Sequence, residues 1–193
     1  MPQPYFGNWQ STQNSLAERP ILAAHVGIIA ALWAHVEYRL ALLMALILHI
    51  DAEVAMVMYA PVRSEAARLA IIEAIVKDRL SEERLTEFQK LRKRVKSTGD
   101  ERDKIVHGLW GIPENVKDSL IWYDGTKSVE QVSGIISRLA RTEKKTYKPP
   151  KRGLMTALEY KVSDFIDIEK RIQERIAEIV MFGATIERKF PAQ

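Results

Sequence analysis

The chain has no cysteine in 193 residues. That excludes a disulfide framework, a thiol nucleophile and any cysteine-ligated metal, and it fits a reducing, cytoplasmic home. Glycine nowhere gathers into a phosphate-cradling loop, and no G-x-S-x-G elbow presents a serine nucleophile. The histidines are badly spaced for a metal: His25, His35 and His49 do not fall one turn apart, and there is no Glu-x-x-His pair of the di-iron type. Those three read as core or interface residues, and neither metal nor cofactor is expected. Internal repeats and low-complexity segments are absent. The first twenty residues lack the basic start and apolar run of a signal peptide.

What remains is an ordinary globular composition, 47% apolar and 28% charged, in a length that suits one domain with a sizeable core. The run Ile21 to Ile50 is long and apolar enough to raise a membrane span. Its middle carries His35, Glu37 and Arg39, and central charges cost roughly 2.5–3.5 kcal/mol each on insertion. A buried core helix is the better reading, with no membrane.

That first helix should open at Arg19–Pro20 and run to Ile50. Leu22, Val26, Ile29, Trp33, Val36, Leu40, Leu43, Ile47 and Ile50 form its apolar stripe. Ile28, Leu32, Leu42 and Leu46 make the opposite side apolar too, and one small bundle rarely covers both sides. A homodimer interface follows as an expectation. A second helical stretch covers Ala52 to Leu80, broken at Pro61, with Ser64 capping the restart. A third starts near Ser81 on core positions Leu85, Phe88, Leu91 and Val95. Gly99 should weaken it, and Thr98 with Glu101 offers a capping box. It should end at Gly108 or Gly111 as a helix-terminating glycine.

Beyond Gly111 the helical period is lost. Leu120–Tyr123 before Asp124-Gly125 reads as a strand entering a tight turn, and Leu158, Tyr160 and Val162 alternate like a second strand. A last helix should start with Ser163 as cap and bury Phe165, Ile168, Ile172, Ile176, Ile179, Ile186 and Phe190, with Asp167–Arg171 and Lys170–Glu174 pairs outside. The expected architecture is mainly α: one domain over 1–193, its four-helix core in 16–110 and 163–190, with a small β-hairpin insertion over 111–162.

The formal net charge is only +4, but the cations cluster. One group spans 84–96 and includes Arg92 and Lys93; a second spans 138–152 and includes Lys144, Lys145, Lys148 and Lys151. Such patches suit a polyanion, and these six residues are the candidate nucleic-acid contacts. The plain alternative is solvated surface and loop.

Chemistry concentrates in Glu101-Arg102-Asp103-Lys104-Ile105-Val106-His107-Gly108-Leu109-Trp110. On an unbroken third helix, Arg102 falls in phase with the core positions, where a guanidinium is costly unless paired or facing a cleft. Asp103 and His107, four apart, share a face, so the carboxylate can orient the imidazole. Histidine moves protons near neutral pH and arginine offsets charge on phosphate oxygens, which suffices for phosphoryl chemistry on RNA. Read structurally, the same residues only cap and terminate a helix.

Arg102-x-x-x-x-His107 near the end of a third helix resembles the R-x(4–6)-H motif of the HEPN superfamily (higher eukaryotes and prokaryotes nucleotide-binding domains). Gly108-Leu109-Trp110 and a long apolar first helix with Trp33 and Glu37 are also similar to members of that group. The resemblance covers roughly 16–110 and 163–190. It implies a helical fold that dimerises and brings two motifs into one composite cleft, and in many members a metal-independent ribonuclease, some of them toxins held by an antitoxin partner. Others only bind. Carried over, His107 would be the catalytic histidine and Arg102 its phosphate-binding partner. Asp103 stands where that group commonly has a polar residue such as asparagine. The alternative function is a non-catalytic helical module that binds a nucleotide or protein.

Overall fold

The apolar spacing of the first long helix sets the frame. In the computed structural model, which describes residues 1–126, 129 and 157–187, α1 covers Pro20–Leu48. It buries Leu22, Ile29, Trp33, Val36, Leu40, Leu43 and Ile47, while Ile28 and Tyr38 on other faces stay nearly half exposed. By length and composition α1 could cross a membrane, and 44% of its most apolar window is buried within the fold.

Pro61 separates α2 (Ala52–Tyr59) from α3 (Glu65–Arg79). The Ser64 hydroxyl accepts the Ala67 amide at 3.3 Å, the cap that restarts the helix. The next helix, α4, runs unbroken over Glu82–His107 and passes straight through Gly99. The capping box expected there does not form: the Thr98 hydroxyl donates to the Arg94 carbonyl, and Glu101 takes Arg171 in a two-pronged pair. The Glu65 carboxylate, the mobile end of a flexible side chain, lies where a Gly99 Cβ would be. The last helix, α5 (Val162–Glu187), begins one residue before the expected cap. At its third position Asp164 reaches back to accept the amide of Lys161, the residue before the helix, at 2.9 Å, as the acidic member of a capping box does. The surface pairs expected along α5 are replaced by Arg171 with Glu101 and Glu174 with Arg175.

The fold is therefore mainly helical with a small antiparallel sheet. That sheet is more than a hairpin. Its strands are β1 (Gln3–Pro4), β2 (Trp9–Gln10), β3 (Leu109–Pro113), β4 (Ser119–Tyr123) and β5 (Ala157–Lys161), ordered β1-β5-β4-β3-β2. Leu109 pairs with Tyr123 and Trp110 with Trp122, and on the other edge Leu120 pairs with Tyr160. Asp124-Gly125 makes no tight turn to the neighbouring strand, since β5 begins only at Ala157.

Two compact units result. Met1–Gly27 with Asp103–Asp167 holds the sheet; Ile28–Arg102 with Ile168–Gln193 is helical. In the first, Trp110, Tyr160 and Phe165 pack ring against ring around buried Leu120 and Ile121. In the second, Leu69, Ile72, Val76, Phe88, Val95, Ile172 and Ile179 are buried, with Phe88 tilted against Phe182. Phe190 lies outside the described residues.

Candidate functional site at the end of the fourth helix

The last turns of α4 carry all three expected site residues. Arg102 is half-buried, and its guanidinium carbon lies 5.0 Å from the centre of the Trp33 ring. Trp33 is buried on α1, so the arginine has a fixed aromatic floor. A ring face attracts a guanidinium through its quadrupole and so fixes where the cation lies. One turn along α1, Glu37 accepts from Arg68 at 2.6 Å, and Arg68 in turn lies 4.8 Å over the Tyr59 ring.

Asp103 and His107 are both exposed on α4, and their spacing of four keeps them on one side of the helix. Arg102 and His107, five apart, are separated by roughly 140° around the helix axis.

The helix end itself is held by two tryptophans of the sheet. The last carbonyls of a helix lack intrahelical donors. Here the Trp122 indole N–H donates to the Lys104 carbonyl at 2.6 Å, and that of Trp110 to the Ile105 carbonyl at 3.3 Å. Gly108 follows directly. Its role differs from a left-handed terminator, because its φ lies outside the left-handed region. Any Cβ at Gly108 would overlap the Trp122 indole nitrogen and the Lys104 carbonyl, so glycine is there for close approach. His107 is thus presented from a helix end fixed by two aromatic donors. Sequence reasoning singled out Gly108 and Trp110, but missed Trp122, whose role depends on the strand pairing of Trp110 with Trp122.

Beside this end lies an open cleft of about 350 Å³ between Gly108, Leu109 and Trp110 on one side and the segment Ser11–Leu16 on the other, with Tyr123 at its base. The Tyr123 and Ser11 hydroxyls share a hydrogen bond, and Trp9 leans on the Tyr123 ring at 4.7 Å. No local pattern in residues 9–16 connects them with this region.

The basic stretch in the middle of α4 is largely tied up within the fold. Arg92 pairs with Glu73, Arg94 with Glu178 at 3.0 Å, and Lys96 with Asp100 at 2.8 Å. Lys93 is exposed. Lys144, Lys145, Lys148 and Lys151 lie outside the described residues. Of the other histidines, His25 stacks on Phe165 with centroids 6.0 Å apart, and His35 is exposed. Among the described residues no group of three or more His, Asp or Glu side chains is placed to hold a metal ion. No family model matches the chain, and neither a curated protein nor a solved structure matches it.

Proposed function

We propose that this is a HEPN-like cytoplasmic homodimer, built on a four-helix core, that binds RNA and cleaves it without a metal. What carries the reading is the end of α4: a half-buried Arg102 laid on the Trp33 face, followed five residues later by the exposed imidazole of His107. Because the two side chains leave one helix on different sides, a second copy is the natural source of a convergent pair. The apolar residues that α1 leaves uncovered, Ile28 and Tyr38 among them, offer a surface for that copy.

The chemistry is internal attack by ribose. The 2′-oxygen bonds to phosphorus, the bond to the 5′-oxygen breaks, and a 2′,3′-cyclic phosphate forms. His107 takes the 2′-hydroxyl proton, the partner's His107 in its protonated form donates a proton to the leaving 5′-oxygen, and Arg102 offsets charge on the phosphate oxygens. Asp103 holds the imidazole orientation. DNA lacks the nucleophile and should bind uncut.

The test is an RNase assay. His107→Ala should lower cleavage by about 10²–10⁴, the worth of a positioned acid–base group, and EDTA should leave the rate unchanged. Activity that survives in His107→Ala ends the catalytic reading. Asp103 favours the second reading, a non-catalytic RNA- or nucleotide-binding module, because an exposed carboxylate beside the site repels phosphate. Saturable RNA binding with no cleavage by wild type selects it. A monomer by light scattering at high micromolar concentration removes the composite cleft. An antitoxin partner belongs to the first reading alone and is sought by co-purification with the neighbouring gene product.

A further inference from the structure

We propose that the cleft between the segment Ser11–Leu16 and the Gly108–Trp110 strand start is a nucleobase subsite, taking the base next to the phosphate handled at His107. The proposal deepens the RNA reading of the same helix end and rests on it for its biological meaning, though its binding test does not.

Four observations carry it. The first is place: Gly108 lines the cleft, and its Cα lies about 3.8 Å from that of His107 across one peptide bond. A nucleotide whose phosphate meets His107 has its base within reach of this hollow. The second is charge. Among the described residues, no side chain lining the cleft is ionisable near neutral pH, so a phosphate would find no counter-charge there, whereas an uncharged ring would not need one. The third is chemistry. Thr12 and Gln13 are exposed at the rim, and the Gln13 amide offers a donor and an acceptor side by side, the pattern a base edge presents in return. Leu109, nearly half exposed, supplies an apolar wall against which a flat ring packs, with the buried Trp110 and Tyr123 side chains behind it. The fourth is order. The Ser15 hydroxyl accepts the Thr12 amide at 3.2 Å and donates to the Thr12 carbonyl at 2.9 Å, while Ser11 is tied to Tyr123. The segment carrying Gln13 is therefore shaped before a ligand arrives. A volume of about 350 Å³ sits at the small end of ligand pockets, roughly 300–1,000 Å³, and suits one nucleoside.

The probes are the four uncharged ribonucleosides (adenosine, guanosine, cytidine and uridine), titrated into the full chain with indole NMR signals as the readout. At least one should bind saturably at millimolar concentration and shift the Trp110 signal. Inorganic phosphate should not compete. Thr12→Trp, which fills the cleft from an exposed position, should abolish binding. Gln13→Ala should weaken it about 2- to 10-fold, the worth of one hydrogen bond. Thermal unfolding reports whether either variant still folds, and Gln13→Ala carries the test if Thr12→Trp does not. His107→Ala should bind nucleoside as wild type does. Binding in wild type with no RNA cleavage keeps the subsite and drops catalysis. Cleavage that depends on His107, with no nucleoside bound and an unchanged base preference in Gln13→Ala, keeps catalysis and overturns the subsite. Binding that survives both cleft variants overturns it as well.

Discussion

The middle and the end of α4 are held by different physics. In the middle, charge meets charge on a half-exposed surface: Arg92 with Glu73, Arg94 with Glu178, Lys96 with Asp100. At the end, aromatic rings do the holding: Trp33 under Arg102, Trp122 on the Lys104 carbonyl, Trp110 on the Ile105 carbonyl. Exposed ion pairs contribute about 0–1 kcal/mol each and fade as salt rises. Indole caps and buried ring faces are out of reach of salt. The difference teaches where charge is spent. Cations in the middle are spent on ion pairs, two of them reaching other helices, while at the end the Trp33 ring fixes where the arginine lies and two indoles hold the helix terminus.

The comparison is most exposed to failure at Trp33. Trp33→Ala removes a buried ring and should cost about 3–5 kcal/mol in urea unfolding. Trp33→Phe keeps a ring under Arg102 and should cost clearly less. Equal losses would mean that Arg102 gains nothing from the aromatic face. Next in size comes Gly108→Ala, which forces the Trp122 indole off the helix end and should cost about 1–3 kcal/mol. An unchanged unfolding midpoint would show that the indole yields freely, and the rigid-terminus argument would go with it.

Much of the helical half was legible because helices announce themselves locally. The α1 stripe, the break at Pro61, the Ser64 cap and the inner face of α5 all follow from spacing and single residues. Gly99 misled because one glycine costs a helix only about 1 kcal/mol, too little to break a packed helix of 26 residues. The sheet was half legible. Leu120–Tyr123 is an apolar run and Leu158 and Tyr160 alternate, although Val162, read with them, starts the last helix; β1 and β2 are two residues each and exist only through pairing with distant strands. The site divides in the same way. Arg102, Asp103 and His107 stand close together in the sequence, whereas Trp122, Ser11 and Tyr123 join them only through strand register.

The middle of α4 gives a smaller effect that bears on nucleic acid. Glu73→Gln should cost under about 1 kcal/mol at low salt and nothing measurable near 1 M NaCl. It also releases Arg92, so RNA affinity at low salt should rise, with a steeper dependence of log affinity on log salt. An unchanged slope would remove Arg92 from the RNA-contacting surface.

The smallest effect is expected where both kinds of support meet, at Arg68, which touches the Tyr59 ring and the Glu37 carboxylate together. The Tyr59 hydroxyl is buried beside the Arg68 guanidinium without a well-formed hydrogen bond, so Tyr59→Phe should leave stability near wild type at pH 7. Alkali separates the two. Burial raises the Tyr59 pKa, outweighing the opposing pull of Arg68. In the unfolded chain the phenol titrates near 10. Below that pH both states keep the proton and the group adds no pH dependence. Above it the unfolded state loses a proton that the folded state retains, so wild-type stability falls as pH rises. The fall should be about 1.4 kcal/mol per pH unit from this group until its folded pKa is reached. Tyr59→Phe lacks this slope, and the other titrating groups are common to both proteins. The difference in urea midpoint between the two should therefore be near zero at pH 8 and favour the variant at pH 11. Parallel curves over that range would mean that the phenol reaches solvent in the folded protein.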